Sequence, residues 1–188
     1  MAIENLVRII FSLFYATPQF GFGCRFGRQK EEYYNYIPIN ENAIIRILKD
    51  IRKMHLKKQK MSFIDIGCGI PVVPAIAKAF GFEESYGLEY SELLVQIADT
   101  FKRDERLGIQ MLNGDLVSYC FKDFDVLYSY NPIQKTELMI KGLENITKTM
   151  KKGAVFYFVS AGVDYKKLFE LGFEELKGAN AIYKYVKQ

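Results

Sequence analysis

The chain alternates short apolar runs with longer stretches in which apolar residues return every three or four positions. The helical pattern is clearest after Asn40, where Ile44, Ile47, Leu48, Ile51 and Met54 share one face behind a polar cap. MSFIDI is then a short strand ending at Gly67, and VVPAIAKAF a helix. SYGLEY reads as a strand, SELLVQIADTFKRDER as a helix capped by Ser91, and IQMLN as a strand. Beyond a polar stretch around Asp115, FDVLYSY is a strand ending at Asn131 and Pro132. KTELMIKGLENITKTMKK is a helix stopped by Gly153, and AVFYFVS is a fully buried strand. Such alternation predicts an α/β fold, a doubly wound parallel sheet with right-handed crossovers and helices on both faces. The tail breaks the rhythm: after a short helix, YKKLFELG, the strands FEELK and AIYKYVK are separated only by the turn at residues 178–180. Two strands joined so tightly must run antiparallel, so the sheet is expected to finish in a hairpin.

Upstream, residues 6–16 are apolar with Arg8 among them. That is shorter than the roughly 20 apolar residues a membrane span needs, so a packing or surface helix is the favoured reading over membrane association. The Gly- and aromatic-rich stretch that follows reads as an irregular arm able to order over a ligand. The expected organisation is therefore an arm over residues 1–35, capping the substrate side, and a domain over residues 36–188. Composition agrees with a globular chain: 188 residues, 49% hydrophobic and 26% charged, set aside the disordered, collagen-like and disulfide-scaffold classes. Cys24, Cys68 and Cys120 are odd in number and form no CxxC, which predicts reduced thiols in a cytoplasmic protein and no zinc. With His55 as the sole histidine, neither a His-based triad nor a metal centre of several imidazoles can be assembled; no metal is expected. The net charge of +4 is carried by the first 60 residues, where 11 Lys/Arg face 5 Asp/Glu. Its densest part, RKMHLKKQK, precedes the first strand and so belongs at the amino ends of the strands. Arg25, Arg28 and Lys30, in the arm, are better placed to meet an acidic macromolecule.

Ligands of open parallel sheets bind at the carboxyl ends of the strands, where the strand order reverses, and the candidate chemistry sits at those ends. The first strand runs into DIGCG, in which Gly67 and Gly69 allow a sharp turn and close backbone approach. Glu89 ends the second strand 20 residues after Gly69, a spacing that lets a carboxylate accept ribose hydroxyls. Asp115 follows the third strand, as an adenine ligand or as a turn residue. The third dinucleotide-loop glycine is replaced by Val72, Pro71 removes an N–H donor, and Asp65 would repel phosphate. A nucleoside ligand with a cationic group and no phosphate fits better, a description that S-adenosylmethionine meets.

On these residues the chain resembles the class I S-adenosylmethionine-dependent methyltransferases, over about residues 36–187. The resemblance implies a Rossmann-like, seven-stranded sheet, mostly parallel with a C-terminal antiparallel hairpin. FIDIGCG is similar to the family's first motif, which places Asp65, Gly67, Cys68 and Gly69 along the methionine part of the cofactor. GLEYSELL is similar to the second, with Glu89 on the ribose and Tyr90 beside it. LNGD is similar to the third, with Asp115 and Leu116 at the adenine. YSYNPI partly matches the [DNS]-P-P-[YFW] motif of amino-methylating enzymes. Asn131 and Pro132 match, making them and Tyr130 the catalytic candidates, whereas Ile133 and Gln134 depart from it and weigh against a base or a glutamine amide as acceptor. Tyr33, Tyr34, Tyr36, Tyr128 and Tyr130 are candidates for an aromatic acceptor channel, with core packing as the other reading of the strand pair. YYNYIPINENAIIRIL is similar to a Y-x-P stretch in seven-stranded protein lysine methyltransferases of the histone-core and ATP-synthase-subunit types, so Tyr36, Ile37 and Pro38 become candidates to cover the cofactor. The resemblance implies N-methylation of a protein lysine or another amine. A small-molecule or nucleic-acid acceptor, and a non-catalytic cofactor-binding subunit, stand as alternatives.

Overall fold

The computed structural model describes residues 2–15, 40–55, 60–105, 108–160, 165–178 and 181–188. Two helices, α1 (Ile3–Tyr15) and α2 (Glu41–His55), precede β1 (Ser62–Ile66). The alternation then runs α3 (Val72–Phe80), β2 (Glu84–Glu89), α4 (Glu92–Glu105), β3 (Gln110–Asn113), β4 (Val126–Tyr130), α5 (Thr136–Thr149) and β5 (Val155–Val159). It ends in α6 (Tyr165–Glu170), β6 (Glu174–Glu175) and β7 (Ile182–Val186). The sheet has seven strands in the order β3-β2-β1-β4-β5-β7-β6, parallel up to β5. As expected the tail turns back: β7 lies antiparallel between β5 and β6. Strand order reverses between β1 and β4, which makes the gap between their carboxyl ends the switch point of the fold.

Strand alternation sends side chains into two cores. Phe63, Val126, Tyr128, Tyr157 and Val159 face α1, α2 and α3, whereas Ile64, Ile66, Leu127, Phe156 and Phe158 face the side of α5 and α6. The expected helix start at Asn40 is realised, its Oδ1 accepting from the amides of Asn42 (3.0 Å) and Ala43 (3.4 Å). The apolar segment at the N-terminus is a packing helix, with Ile3, Val7, Phe11 and Phe14 buried against α2 and α3. α5 ends earlier than its periodicity predicts, at Thr149; Gly153, at φ 76°, serves the turn into β5 instead. No helix among the described residues is long and apolar enough to cross a membrane.

One polar cluster fixes α2 to the sheet. The Tyr157 hydroxyl, on a fully buried side chain of β5, donates to Asp50 Oδ2 at 2.7 Å, and Lys184 of β7 reaches the same oxygen at 2.8 Å. Burial opposes ionisation of Asp50, but the bonds from Lys184 and Tyr157 outweigh it and hold its carboxyl below the usual range. A depressed carboxyl stabilises the fold above its unfolded pKa and loses that contribution as pH falls through the lower folded value. Asp50→Ala should therefore cost about 2 kcal/mol near neutrality. In urea unfolding, its deficit against the parent chain should shrink below pH of about 4.

Candidate cofactor and transfer site

β1 gives out at Ile66 because the next residues turn through positive φ, 75° at Gly67 and 54° at Gly69. The amides of Gly67 and Cys68 both donate to Leu88 O, at 2.8 and 3.1 Å, which lashes the turn to β2. A Cβ on Gly67 would stand 2.3 Å from Pro132 Cβ, so a bare glycine is what allows the loops after β1 and β4 to touch. On the β4 side of this contact Asn131 is buried and held at φ 33°, in the left-handed region that asparagine tolerates better than most residues. Ser129 Oγ donates to Ile66 O at 2.9 Å and ties the two strand ends together just beneath.

The second strand end supplies buried charge. Glu89 is 4% exposed; its Oε2 accepts from the Gly69 amide at 2.9 Å and its Oε1 from the Ser91 amide at 2.8 Å. Asp65, 2% exposed and beside Gly87 in the register, is pushed well above the usual carboxyl range by burial and then by the charge of Glu89. Gly87 makes room on that face: a Cβ there would be 2.6 Å from Cys68 Sγ and 2.9 Å from Met111 Sδ. Burial, with Asp65 and Glu89 following, also raises the Cys68 thiol, which keeps it protonated and packed rather than nucleophilic.

The third loop is held in a way the sequence did not reveal. Asp115 Oδ1 accepts from the Val117 amide at 3.0 Å, the turn role weighed against a ligand role, while among the described residues its second oxygen is not engaged. Leu116 points away from the strand ends into the core against α5, where a Cβ on Gly142 would be 1.8 Å from Leu116 Cδ1. Asn145 of α5 donates to both Leu116 O and Tyr119 O, each at 2.8 Å. Asn113 Nδ2 donates to Glu89 O and Tyr90 O, each at 3.1 Å, joining the second and third strand ends. The mid-helix glycine in MIKGLEN was the one visible hint of this close approach.

The structure thus brings Asp65, Gly67, Cys68, Gly69, Glu89 and Asp115 to neighbouring strand ends, with Asn131 and Pro132 against the glycine turn. The sequence model of the methyltransferase domain matches residues 64–158, half of the chain, and covers these strand ends. The chain belongs to the methyltransferase-domain family. The ribosomal protein L11 methyltransferase of Thermosipho africanus is 28% identical over 95 residues, 50% of this chain and 35% of that protein. The chain therefore spans about a third of the length of this curated relative. PH0226 of Pyrococcus horikoshii OT3 superposes with a TM-score of 0.60 at 16% identity, over 78% of this chain and 91% of its own. The S-adenosylmethionine-bound structure of CalS10, an amino pentose methyltransferase from Micromonospora echinaspora, gives 0.52 at 17% identity, over 64% and 50%. At that identity the likeness is one of fold, and the seven-stranded sheet is the class I methyltransferase sheet that the motifs implied.

Other methyltransferase candidates are distributed differently. Tyr128 is 1% exposed in the core with Phe63 and Val73, so it packs and does not line a channel. Tyr130 is half-buried at the strand end, and Tyr90 is exposed. Tyr33, Tyr34, Tyr36, Ile37 and Pro38, with Arg25, Arg28 and Lys30, lie outside the described residues.

Two substitutions test this scaffold. Gly67→Ala combines a left-handed conformation, worth about 1–2 kcal/mol for a residue with a Cβ, with the Pro132 clash, and should lower the unfolding midpoint in urea accordingly. Asn145→Ala leaves two carbonyls without their donor, at a cost of about 1–3 kcal/mol. Amide exchange at Val117, Ser118 and Tyr119 should accelerate while β4 and β5 stay protected.

Proposed function

We propose that the protein is an S-adenosylmethionine-dependent N-methyltransferase acting on an aliphatic amine. The observation that carries this reading is the junction at the switch point, where Gly67 lies on Pro132 and buried Asn131 is held at positive φ beside it. Backbone held in an uncommon region, over-determined by its surroundings, is a mark of a functional position.

The residues present suit the cofactor. Asp65 and Glu89 put two carboxyl groups within electrostatic reach of each other in a buried site, and backbone amides of Gly69 and Ser91 donate to Glu89. A ligand bearing an ammonium and a sulfonium offsets that charge, and one bearing phosphates would add to it. Glu89, with Tyr90 beside it, is assigned to the ribose hydroxyls, the glycine turn with Asp65 and Cys68 to the methionine portion, and Asp115 to the adenine end, while the Leu116 side chain serves the core instead. Tyr36 and Pro38 of the arm are assigned to cover the cofactor, with residues 1–35 as the substrate-side cap.

When bound, S-adenosylmethionine supplies a methyl group that a nucleophile takes by in-line displacement. The chain's task is then alignment and exclusion of water. Asn131 is assigned to accept hydrogen bonds from the attacking amine through its side-chain and backbone oxygens, which orients the nitrogen lone pair. Pro132 fixes the loop that carries it, and Tyr130 borders the acceptor. Ile133, 1% exposed, drops into the core in place of the motif's second proline, and exposed Gln134 stands where amino-methylating enzymes of planar substrates carry an aromatic residue. Without that stacking surface an aliphatic amine is favoured over a base. A protein lysine is the acceptor implied by the resemblance of the arm.

Calorimetric titration with S-adenosylmethionine, carried out well below the melting temperature, tests the cofactor assignment: Glu89→Gln, which can still accept from one of the two amides, should weaken binding at least tenfold while the chain stays folded. Asn131→Ala should lower kcat about a hundredfold with cofactor affinity kept, measured by labelled methyl transfer. A chain that binds the cofactor yet labels nothing would be a binding subunit.

A further inference from the structure

A cleft of about 390 Å³ opens at the carboxyl ends of β4 and β5, away from the cofactor half of the sheet. Its walls combine Tyr130 and Ser160 from the strand ends, Asn42 and Arg46 from the start of α2, and Gly178 and Ile182 flanking the turn into β7. The volume suits a small molecule or one side chain. Tyr130 is shared with the transfer site and precedes Asn131, so a molecule seated here stands next to the reacting point.

The charge of the cleft is one-sided. Among its described lining residues Arg46 is the only charged one, and no carboxylate faces it. Arg46 also forms no ion pair with a described residue, in contrast to Lys49, Lys60, Lys151, Lys167 and Lys184, each of which meets an Asp or Glu. A guanidinium binds a carboxylate or phosphate through paired N–H donors, and the neighbouring Ser160 hydroxyl and Asn42 amide add neutral polar groups. Conversely, an acceptor whose only charge is an ammonium would enter against Arg46 as well as against a cationic cofactor.

We propose that the methyl acceptor is a small amine carrying a carboxylate or phosphate, and that Arg46 binds this anionic group in the cleft. The inference rests on the transferase reading above and narrows its acceptor from aliphatic amines in general to anionic ones, in preference to a lysine side chain of a protein.

The test incubates the full chain with methyl-labelled S-adenosylmethionine and a cell extract, separates acid-insoluble protein from acid-soluble compounds, and identifies labelled products by mass spectrometry. Label should appear in a soluble amine bearing a carboxylate or phosphate. With that compound as substrate, Arg46→Gln should raise KM at least tenfold while kcat and cofactor affinity change less than twofold, and Arg46→Lys should recover most of the loss. Label in protein, a product without an anionic group, or an unchanged KM in Arg46→Gln would overturn the assignment of Arg46 and leave the transferase reading standing. Cofactor binding with no labelled product in any fraction would overturn the transferase reading, and this inference with it.

Discussion

The site hangs on a contact with no side chain on one side of it. At the switch point the turn after β1 and the loop after β4 must come within van der Waals distance, and Gly67 achieves this by presenting a bare Cα to Pro132. Geometry elsewhere follows. The Gly69 amide reaches Glu89 because the turn is tight, Ser129 can bond to Ile66 because the strands end level, and Asn131 takes its unusual conformation where the loop meets the turn. A larger residue at position 67 would therefore move the cofactor half and the acceptor half apart together.

Electrostatics divide the buried and half-buried carboxylates into two kinds. Asp50 and Asp125 serve the fold and are supplied with cations by the chain itself, Lys184 and Lys151, at 2.8 and 3.0 Å. Their carboxyls are held below the usual range although burial works against ionisation. At the strand ends the pattern inverts. Asp65 meets no such cation in the described ion pairs and is pushed upward, by burial and then by Glu89. A buried carboxyl raised in this way costs stability, and it suits the cationic ligand proposed for the site. The same contrast separates Arg46, which no described carboxylate answers, from the lysines that structure has paired.

Much of this was legible in the chain because the signals are local. The period-two and period-3.6 runs gave every strand and helix of the alternating region, and the turn chemistry at residues 178–180 gave the antiparallel end, with β6 shortened to two paired residues. The glycine turn, Glu89 and Asp115 were visible because their spacing reports a loop and a strand. What stayed hidden depends on pairs far apart in sequence. Asn145 reaches back 29 residues to Leu116, and Tyr157 reaches back 107 to Asp50. Neither partner carries a mark of its own. Tyr128 and Tyr130 are indistinguishable by type and by strand face; depth alone separates them, since one lies in the core and the other at the rim. Arg46 was just one cation on a helix until the far strands closed a cleft around it.

Helix α2 has a divided composition along its length. Its later turn carries Asp50, which locks it to β5 and β7, and its first turns carry Asn42 and Arg46 at the cleft. Anchor and recognition surface are thus about one turn apart on a single rod, joined rigidly but chemically independent. Ala43 and Ile44 between them are core, but Asn42 and Arg46 are exposed and can be exchanged without loosening the anchor, so under the proposed reading acceptor preference can change while the sheet stays fixed. A scaffold built this way diversifies by re-lettering one helical turn instead of by acquiring a new domain.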